Sequence, residues 1–381
     1  MRLLLSCTEL GLGHVSRITA LGKMLERRNH ELFFFSGGGA YQLLKKEFKN
    51  VYCCTPVSWY EDSHGIHTYA SFLNILVPLP LRHYETGRIQ IKSSNTMETV
   101  HRYYDLRQQI RKIKPNVIVS DGDIHALRLA HKWHIPSVYI ANIIRPNREF
   151  SPLLLPGERL TERYVRKCSK IIVPDSPPPF TVCEYNLGDL KDIGVKDKVD
   201  FVGGFLDMTS AEGLEEYIFA PISGPYGTRA KLKHTIIPVL EKLDAKSIVS
   251  LGEHGKRVHM KTGNCEIYSW LSPLERREFM KNCSMIIFSG GHITCLETIK
   301  YAKPSICVPT QSEQLGNAQK MQDMGCSLIA KDREQLELAI KKIDKERQFH
   351  QKRVKIVNNY ASRFNGLKNA VSVIETLALK A

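Results

Sequence analysis

The chain has 381 residues, which is enough for two domains of ordinary size. Hydrophobic residues make up 43% of it and charged residues 24%, as in soluble globular proteins, and no run of about 18 apolar residues predicts a membrane span. The formal net charge of +15 is spread over both halves without a recognition module for nucleic acid, so we expect phosphate-bearing substrates or an anionic membrane surface as partners and no nucleic acid.

Apolar strand-like runs alternate with amphipathic helical stretches in the first half, a pattern typical of α/β architecture with parallel sheets. The amino-terminal run is short and leads directly into a glycine-rich turn, so it predicts a first strand and not a signal peptide. Predicted strands cover residues 3–6, 32–35, 117–120, 138–140, 171–173 and 200–202, and predicted helices cover residues 16–28, 40–46, 96–113 and 124–133.

The best domain boundary is Gly203-Gly204-Phe205, which a polar stretch follows. The second half then repeats the alternation, with predicted strands at residues 217–222, 247–251, 266–268, 285–288 and 305–308. A helix follows the first of these strands, and a second helix runs from residue 292 until Lys303-Pro304 ends it. The tail from residue 332 predicts further helices.

The cysteines are ten in number and show neither a CxxC pair nor the spacing of a zinc finger. Most of them lie in apolar runs. They therefore predict reduced, mostly buried thiols in a cytosolic protein.

A glycine-rich turn, Gly11-Leu12-Gly13-His14, joins the first predicted strand to the first predicted helix. The residues alone leave two interpretations of His14 open: a capping histidine in a tight turn, or a general base, since imidazole titrates near neutral pH. Glycines let a substrate approach the backbone, and a helix start favours a phosphate. Arg17, one turn further along, is either a solvated charge or a phosphate contact.

A second glycine turn, Ser289-Gly290-Gly291, joins a predicted strand to a helix and so presents backbone N–H groups to a phosphate. Thr294 and Glu297 follow on that helix, and Glu313-Gln314 follow the next strand. Hydroxyl, carboxylate and amide groups beside a phosphate site predict a nucleotide-sugar. The alternatives are an ordinary turn, a surface helix carboxylate and a polar loop pair.

This segment resembles the donor-site signature of GT-B fold glycosyltransferases, in the branch of the lipid II-forming N-acetylglucosaminyltransferase and its archaeal relatives. The family pattern is roughly H/S-G-G-x-x-[ST]-x-x-E, then G-x-P, then P-x-x-x-[DE]-Q-x-x-N-A. Residues 289–297, 302–304 and 309–318 reproduce it, with Ala302 standing where the family usually has glycine. The resemblance extends over nearly the whole chain, and its specific motifs are the two glycine-rich regions.

The resemblance implies two Rossmann-like domains that face a cleft, with the last helix crossing back to the first domain. We expect an acceptor-binding domain at residues 1–205, a nucleotide-sugar-binding domain at 206–355, and the returning helix at 356–381. The implied reaction is an inverting, metal-independent transfer from a UDP-sugar, such as UDP-N-acetylglucosamine, to a hydroxyl of a polyprenyl- or other lipid-linked glycan. No cofactor is expected, and the expected location is cytoplasmic, with peripheral contact at the membrane face.

The same resemblance assigns roles to individual residues. His14 would be the general base, and the acceptor side would include Gly11, Gly13, Arg17, Asp121 and Asp123. The donor side would include Gly290, Gly291, Thr294, Glu297, Glu313, Gln314, Ser223, Gly224, Arg229 and the backbone near Leu271. His292 and Asn317 stay open between ligand contact and a capping or supporting role.

Two segments keep alternative interpretations. Asp121-Gly122-Asp123 has the form of a metal-binding DxD motif, which is typical of the other major glycosyltransferase fold, so an acceptor-side role, turn chemistry and a metal site all stay open. The apolar run at residues 72–81, followed by Arg82, Arg88 and Lys92, is either a buried segment or a patch that inserts into a membrane surface.

Two rival functions remain. A nucleotide-sugar 2-epimerase of the same fold would use carboxylates to abstract a proton and would need no acceptor. A non-catalytic subunit would bind nucleotide-sugar only. The glycine-histidine start and the E-Q-x-x-N-A string favour a transferase over the epimerase, and His14 together with both half-sites argues against the subunit.

Overall fold

The computed structural model describes residues 1–9, 12–56, 61–62, 65–66, 80–82, 89–91, 95–145, 155–209, 213–224, 226–253 and 257–379. Residues 72–79 of the apolar run at 72–81 therefore lie outside the described residues. No described helix combines the length and the apolar character that crossing a bilayer requires.

The strands in chain order are β1 (Arg2–Cys7), β2 (Glu31–Ser36), β3 (Val51–Cys53), β4 (Glu61–Asp62), β5 (Gly65–Ile66), β6 (Pro80–Arg82), β7 (Ile89–Ile91), β8 (Val117–Asp121), β9 (Ser137–Ile140), β10 (Lys170–Val173), β11 (Val199–Phe201), β12 (Tyr217–Pro221), β13 (Ser247–Ser250), β14 (His259–Thr262), β15 (Cys265–Tyr268), β16 (Cys283–Phe288), β17 (Ser305–Cys307) and β18 (Ser327–Ile329).

The helices are α1 (Leu12–Glu26), α2 (Gly38–Glu47), α3 (Asn95–Ile113), α4 (Ile124–Lys132), α5 (Leu155–Val165), α6 (Glu184–Leu187), α7 (Tyr226–Leu240), α8 (Pro273–Asn282), α9 (His292–Lys300), α10 (Ser312–Asp323), α11 (Arg333–Lys345), α12 (Arg347–Ala361) and α13 (Gly366–Leu379).

Fourteen of the described strands form two seven-stranded sheets, and β4-β5 and β6-β7 form separate pairs. The first has the order β11-β10-β9-β8-β1-β2-β3 and is parallel, and the second has the order β14-β15-β13-β12-β16-β17-β18, with β14 antiparallel at its edge. We call the parts of the chain that carry them the first and second domains. The central strands are buried on both faces, which is why their sequences are continuous apolar runs rather than alternating ones. The predicted parallel α/β architecture is therefore confirmed.

The carboxyl ends of neighbouring parallel strands lie at one edge of a sheet, where α/β folds bind ligands. In the first sheet β1 pairs with β8, and Cys7 lies opposite Asp121. The loop that leads to His14 and the Asp121-Gly122-Asp123 segment therefore leave the sheet side by side. This register is what brings together two motifs that are far apart in sequence.

The last helix, α13, belongs to the first domain. Its residues Ala370, Val371 and Ile374 are part of the core formed by β1, β2 and α1. Glu375 accepts a hydrogen bond from His30 at 2.9 Å, joining the helix to the start of β2. The predicted return of the carboxyl-terminal helix is confirmed. Because α12 still contributes to the second-domain core, the crossing lies between α12 and α13, and the exact division at residues 205 and 355 remains a prediction.

The turn after α9 explains the departure at Ala302. Ala302 N–H donates to the Ile299 carbonyl and Lys303 N–H to the Thr298 carbonyl, both at 3.0 Å, which is the Schellman pattern of helix termination. Ala302 occupies the left-handed position of this motif, with φ +51. A Cβ at such a position costs roughly 1–2 kcal/mol, so glycine would be the unstrained residue there.

We expect Ala302→Gly to stabilise the protein by about 0.5–1 kcal/mol, because relief of the strain exceeds the added freedom of the unfolded chain. Urea denaturation midpoints measure the change. Ala230→Gly in the ordinary helical backbone of α7 is the control, and it should destabilise by about 1 kcal/mol. Equal losses in both variants would contradict the strain at Ala302.

Two alternatives that the sequence left open are wrong, namely a polar loop pair for Glu313 and Gln314 and a helix cap for Asn317. All three lie inside α10, which begins at Ser312. Asn317 is fully buried and Gln314 is nearly so. The Asn317 amide contacts the Gly290 carbonyl, whereas the Gln314 side chain contacts Thr310.

Candidate functional site

His14 lies in the first turn of α1 and contacts the end of β8. Its Nδ1 lies 2.6 Å from Asp121 Oδ1. Arg17, one turn later, donates from Nε to Asp121 Oδ2 and from Nη2 to Oδ1, both at 2.8 Å. Arg17 and Asp121 are buried, whereas the His14 side chain is 24% exposed. The buried pair thus supports an imidazole that still reaches solvent.

The charge of Asp121 determines which nitrogen of His14 carries the proton. Burial raises the pKa of this carboxyl, but the Arg17 and His14 charges and their hydrogen bonds outweigh it and lower the pKa from 3.8 to about 2. An ionised carboxylate can only accept, so Nδ1 of His14 donates. Within the described part of the chain Nε2 makes no hydrogen bond, so it is the nitrogen that can accept a proton.

Arg17 Nη2 also lies 3.0 Å from His14 Nδ1. Both groups are donors, so we attribute this approach to their sharing of the same Asp121 oxygen. The guanidinium is therefore not a solvated charge, and its contact with an acceptor phosphate stays a prediction. It neutralises Asp121 and fixes the direction of its carboxylate.

The second acidic residue of the DxD segment has its own arginine. Arg102 of α3 donates from Nη2 to Asp123 Oδ2 at 3.0 Å and from Nη1 to Glu9 at 2.9 Å. Its Nη2 also donates to the Cys7 carbonyl at 3.2 Å. The other oxygen of Asp123 caps α4 by accepting from His125 N–H at 3.1 Å. Asp123 thus has a structural role in the turn, and both carboxylates of the motif are bound to guanidinium groups.

Gly122, between the two aspartates, has φ +77. A Cβ there would lie 2.8 Å from Thr8 Cγ2 and 3.1 Å from His14 Cε1. The backbone therefore passes directly over the imidazole, and only glycine leaves room for it. Gly11 lies outside the described residues.

The two domains meet beside His14. A Cβ at Gly13 would lie 3.6 Å from Ile293 Cδ1, at the start of α9 in the second domain. Nearby, Asn142 follows β9 of the first domain and donates its amide to Glu313 of α10 at 3.0 Å. The glycine turn of the first domain and the donor motif of the second domain therefore lie next to each other, as the sequence predicts for two half-sites of one cleft.

The Ser289-Gly290-Gly291 turn has the geometry of an anion site. Gly290 has φ +89, and a Cβ there would lie 2.7 Å from the Gln314 carbonyl, so the turn is pressed against α10. The N-cap of α9 is Gly291, which has no side chain to accept a hydrogen bond, so among the described residues the N–H groups of the first turn remain available to an anion. The Gln314 side chain links α10 to the segment after β17, because its Oε1 accepts from Thr310 N–H at 2.9 Å.

Glu297 and Thr294 share an arginine that the sequence did not indicate. Arg276 of α8 is ion-paired with Glu297 Oε1, and its Nη2 lies 3.4 Å from Thr294 Oγ1. Among the described residues nothing bonds to Glu297 Oε2, although that atom is buried. A buried carboxylate oxygen without a donor is an unmet acceptor, which a ligand hydroxyl would satisfy.

The remaining donor-side residues lie around the same edge of the second sheet. Ser223 and Gly224 follow β12, and Gly224, with φ +111, accepts a hydrogen bond from Arg229 Nη1 at 3.0 Å. Leu271 is buried in the second-domain core, so its side chain packs and only its backbone could read a ligand.

His292 makes a contact across the domains. Its Nε2 lies 3.0 Å from Asp175 Oδ2, and both side chains are buried. With Cys183 they form a described group whose possible ligand atoms for a metal all lie within 4.8 Å of one another. Asp175 already accepts from Cys183 N–H at 2.9 Å and Ser176 N–H at 2.7 Å. Asp175 thus has hydrogen-bond partners within the protein, as a structural carboxylate does.

Comparison with known proteins supports the resemblance to GT-B glycosyltransferases found in the sequence. Residues 248–371 match the glycosyltransferase family 28 C-terminal domain. An uncharacterized glycosyltransferase of Methanosarcina mazei is 24% identical over 418 residues, covering 100% of this chain and 99% of that protein.

Among solved structures, MurG of Acinetobacter baumannii superposes with a TM-score of 0.61 at 12% identity, covering 98% of this chain and 99% of that one. The spinosyn rhamnosyltransferase SpnG complexed with thymidine diphosphate gives 0.66 at 11% identity, covering 98% and 100%. Such identities show a shared fold. The predicted GT-B architecture is thus confirmed, and the chain is a glycosyltransferase whose residues 248–371 are similar to the glycosyltransferase family 28 C-terminal domain.

Proposed function

We propose that the protein is an inverting transferase that moves a sugar, such as N-acetylglucosamine, from a UDP-sugar to a hydroxyl of a lipid-linked acceptor. The observation that carries the proposal is the His14–Asp121 pair at the cleft, 2.6 Å apart, beside the start of α9. The pair supplies a base and the start of α9 supplies an anion site, and glycosyl transfer requires both in one place.

In the proposed mechanism Nε2 of His14 takes the proton of the acceptor hydroxyl. The acceptor oxygen attacks the anomeric carbon, and the bond from that carbon to the diphosphate oxygen breaks. The displaced nucleoside diphosphate carries negative charge, which N–H groups at the start of α9 and the Thr294 hydroxyl stabilise. Asp121 holds the imidazole in the required tautomer and stabilises its protonated form, as in other carboxylate–histidine pairs.

The donor is proposed to place its ribose on Glu297. Oε2 is the unpartnered oxygen, whereas Oε1 is held by Arg276. Arg276 also brings a positive charge to the diphosphate side, next to Thr294. Glu313 would hold hydroxyls of the sugar, with Asn142 fixing one of its oxygens. Because both DxD carboxylates are bound to arginines, we propose that helix N–H groups and Arg276 support the diphosphate in place of a metal.

A lipid-linked acceptor is supported by the net charge of +15, which favours an anionic membrane surface and a phosphate-bearing acceptor. A cytoplasmic position with peripheral membrane contact is part of the same proposal. The run at 72–81, proposed as the membrane contact, lies mostly outside the described residues.

The test is transfer of radiolabel from UDP-N-acetylglucosamine to polyprenyl-linked acceptors in anionic vesicles, with and without EDTA. Product that forms equally with EDTA supports the proposal. Transfer from thymidine-diphosphate sugars only would overturn the UDP assignment, and activity lost with EDTA and restored by Mg²⁺ or Mn²⁺ would overturn metal independence. Transfer to soluble acceptors alone would remove the lipid.

Glu297→Ala should weaken UDP binding by about 10- to 150-fold, because a hydrogen bond to a charged group contributes roughly 1.5–3 kcal/mol. Calorimetry measures the affinity, and circular dichroism checks the fold. Glu275→Ala, on the neighbouring helix α8, is the matched control because its carboxylate caps that helix and pairs with Arg257. Unchanged UDP affinity in Glu297→Ala would remove this residue from the ribose site.

A further inference from the structure

The domain interface contains a polar contact made by Asn186, a residue that the sequence did not indicate. Helix α6 of the first domain packs against α10 of the second domain. Asn186 of α6 is fully buried there. Its amide donates to the Glu313 carbonyl at 2.9 Å and to Asn317 Oδ1 at 2.8 Å. An asparagine of the acceptor-side domain thus binds both ends of one turn of the donor-side helix.

The contact continues to the glycine turn. Asn317 donates its own amide to the Gly290 carbonyl at 3.0 Å. Since Asn317 has one amide oxygen and one amide nitrogen, the bond from Asn186 fixes which way the group points. The hydrogen-bonded series Asn186–Asn317–Gly290 therefore runs from the first domain to the backbone that precedes α9.

Gly316 shows that the interface is shaped around Asn186. It lies inside α10, where glycine costs about 1 kcal/mol relative to alanine. A Cβ at this position would lie 2.5 Å from Asn186 Oδ1 and 3.0 Å from Cγ. The absent methyl group therefore makes the space that the asparagine fills.

We propose that Asn186 is a positioning residue for the donor diphosphate, contributed by the first domain. Its amide orients Asn317 and holds the Glu313 backbone, and Asn317 in turn holds the Gly290 carbonyl, so the N–H groups at the start of α9 are aimed only when the domains are in contact. Asn142, which reaches Glu313 from the same domain, acts in the same direction. The inference rests on the proposed donor site and adds that this site is completed by the acceptor-side domain.

The test compares Asn186→Ala, Asn186→Asp and Gly316→Ala in the full-length protein by calorimetry with UDP. Each variant should bind UDP about 10-fold more weakly, because two neutral hydrogen bonds are lost or displaced. Asn186→Asp keeps the volume of the side chain but cannot donate, so it separates hydrogen bonding from packing. In kinetics the KM for the donor should rise about 10-fold, while the KM for the acceptor stays within about twofold.

The double variant Asn186→Ala with Gly316→Ala gives the sharpest readout. Once the asparagine is gone, the methyl group at 316 has room, so the double variant should bind UDP no more weakly than Asn186→Ala alone. Additive losses would contradict the contact. Tyr185→Phe is the matched control, because Tyr185 lies on the same helix and bonds Asp323 at the far end of α10; its UDP affinity should stay within about twofold.

The outcomes separate this inference from the proposed function. If the unmodified protein does not bind UDP, the proposed donor site fails. If it binds UDP and both Asn186 variants bind equally well, the positioning role fails while the donor site stands. A loss in Tyr185→Phe as large as in Asn186→Asp would show general loosening of the interface and would also overturn the role.

Discussion

Replacing His14 with alanine is expected to lower kcat by about 100-fold or more, since general-base catalysis contributes roughly 10²–10⁴. The structure gives the reason, because His14 Nδ1 is held by Asp121 and Nε2 has no hydrogen-bond partner in the described part of the chain. UDP affinity should stay close to that of the unmodified protein, because the donor contacts proposed above lie in the second domain. Steady-state kinetics and calorimetry measure the two effects separately.

The control is His30→Ala, since His30 pairs with Glu375 at the back of the first domain and is remote from the cleft residues described above. It should leave kcat within about twofold. Near-normal turnover in His14→Ala would contradict the base assignment. A fall in UDP affinity equal to the fall in kcat would show that His14 acts on the donor instead.

Arg102→Met is expected to destabilise the protein by about 3–5 kcal/mol, because removing one partner leaves buried charge without compensation. Arg102 is 3% exposed and serves Asp123, Glu9 and the Cys7 carbonyl at once. Methionine fills most of the same volume but cannot donate a hydrogen bond, so the loss of stability reports on charge and hydrogen bonding and not on packing.

Arg111→Met on the same helix is the control, because Arg111 is exposed and lies over the Trp133 ring. This variant should change the free energy of unfolding by about 0.5 kcal/mol or less.

The effect of Arg102 should also depend on pH. Burial raises the pKa of Asp123, but the interaction with Arg102 outweighs burial and lowers that pKa. That stabilisation is present above the unfolded pKa and is lost as the pH falls through the folded one. The difference in the free energy of unfolding between Arg102→Met and the unmodified protein, measured by urea denaturation, should therefore become smaller in acid. A difference that does not change with pH would contradict the charge explanation.

The elements that could be predicted are those with strong local patterns. Buried parallel strands such as β1 and β16 contain apolar runs, and glycine turns with fixed offsets mark the starts of α1 and α9. The edge strand β14 was not predicted because its residues are exposed on both faces, so it carries no apolar signal. Helix α10 was not predicted, because its first residues are polar and Gly316 follows them.

The partners of the predicted site residues could not be found in the same way. Asp121 is 107 positions from His14, and the two meet because β1 and β8 are neighbours in the sheet. Arg102, Asn142, Asn186 and Arg276 lie in stretches without any motif, and each acts through a contact between separate elements. The one usable signal was Gly316, a glycine inside a helical stretch, which indicates a close approach by another group.

The position of α13 has a consequence for synthesis of the protein. Ala370, Val371 and Ile374 complete a core whose other members are synthesised before the second domain. During translation the first domain must therefore wait for α13, and the apolar side of α1 that α13 covers stays open until α13 has left the ribosome. A fragment ending near residue 205 would therefore be expected to aggregate, whereas a chain rearranged so that α13 precedes β1 would fold its first domain as it emerges.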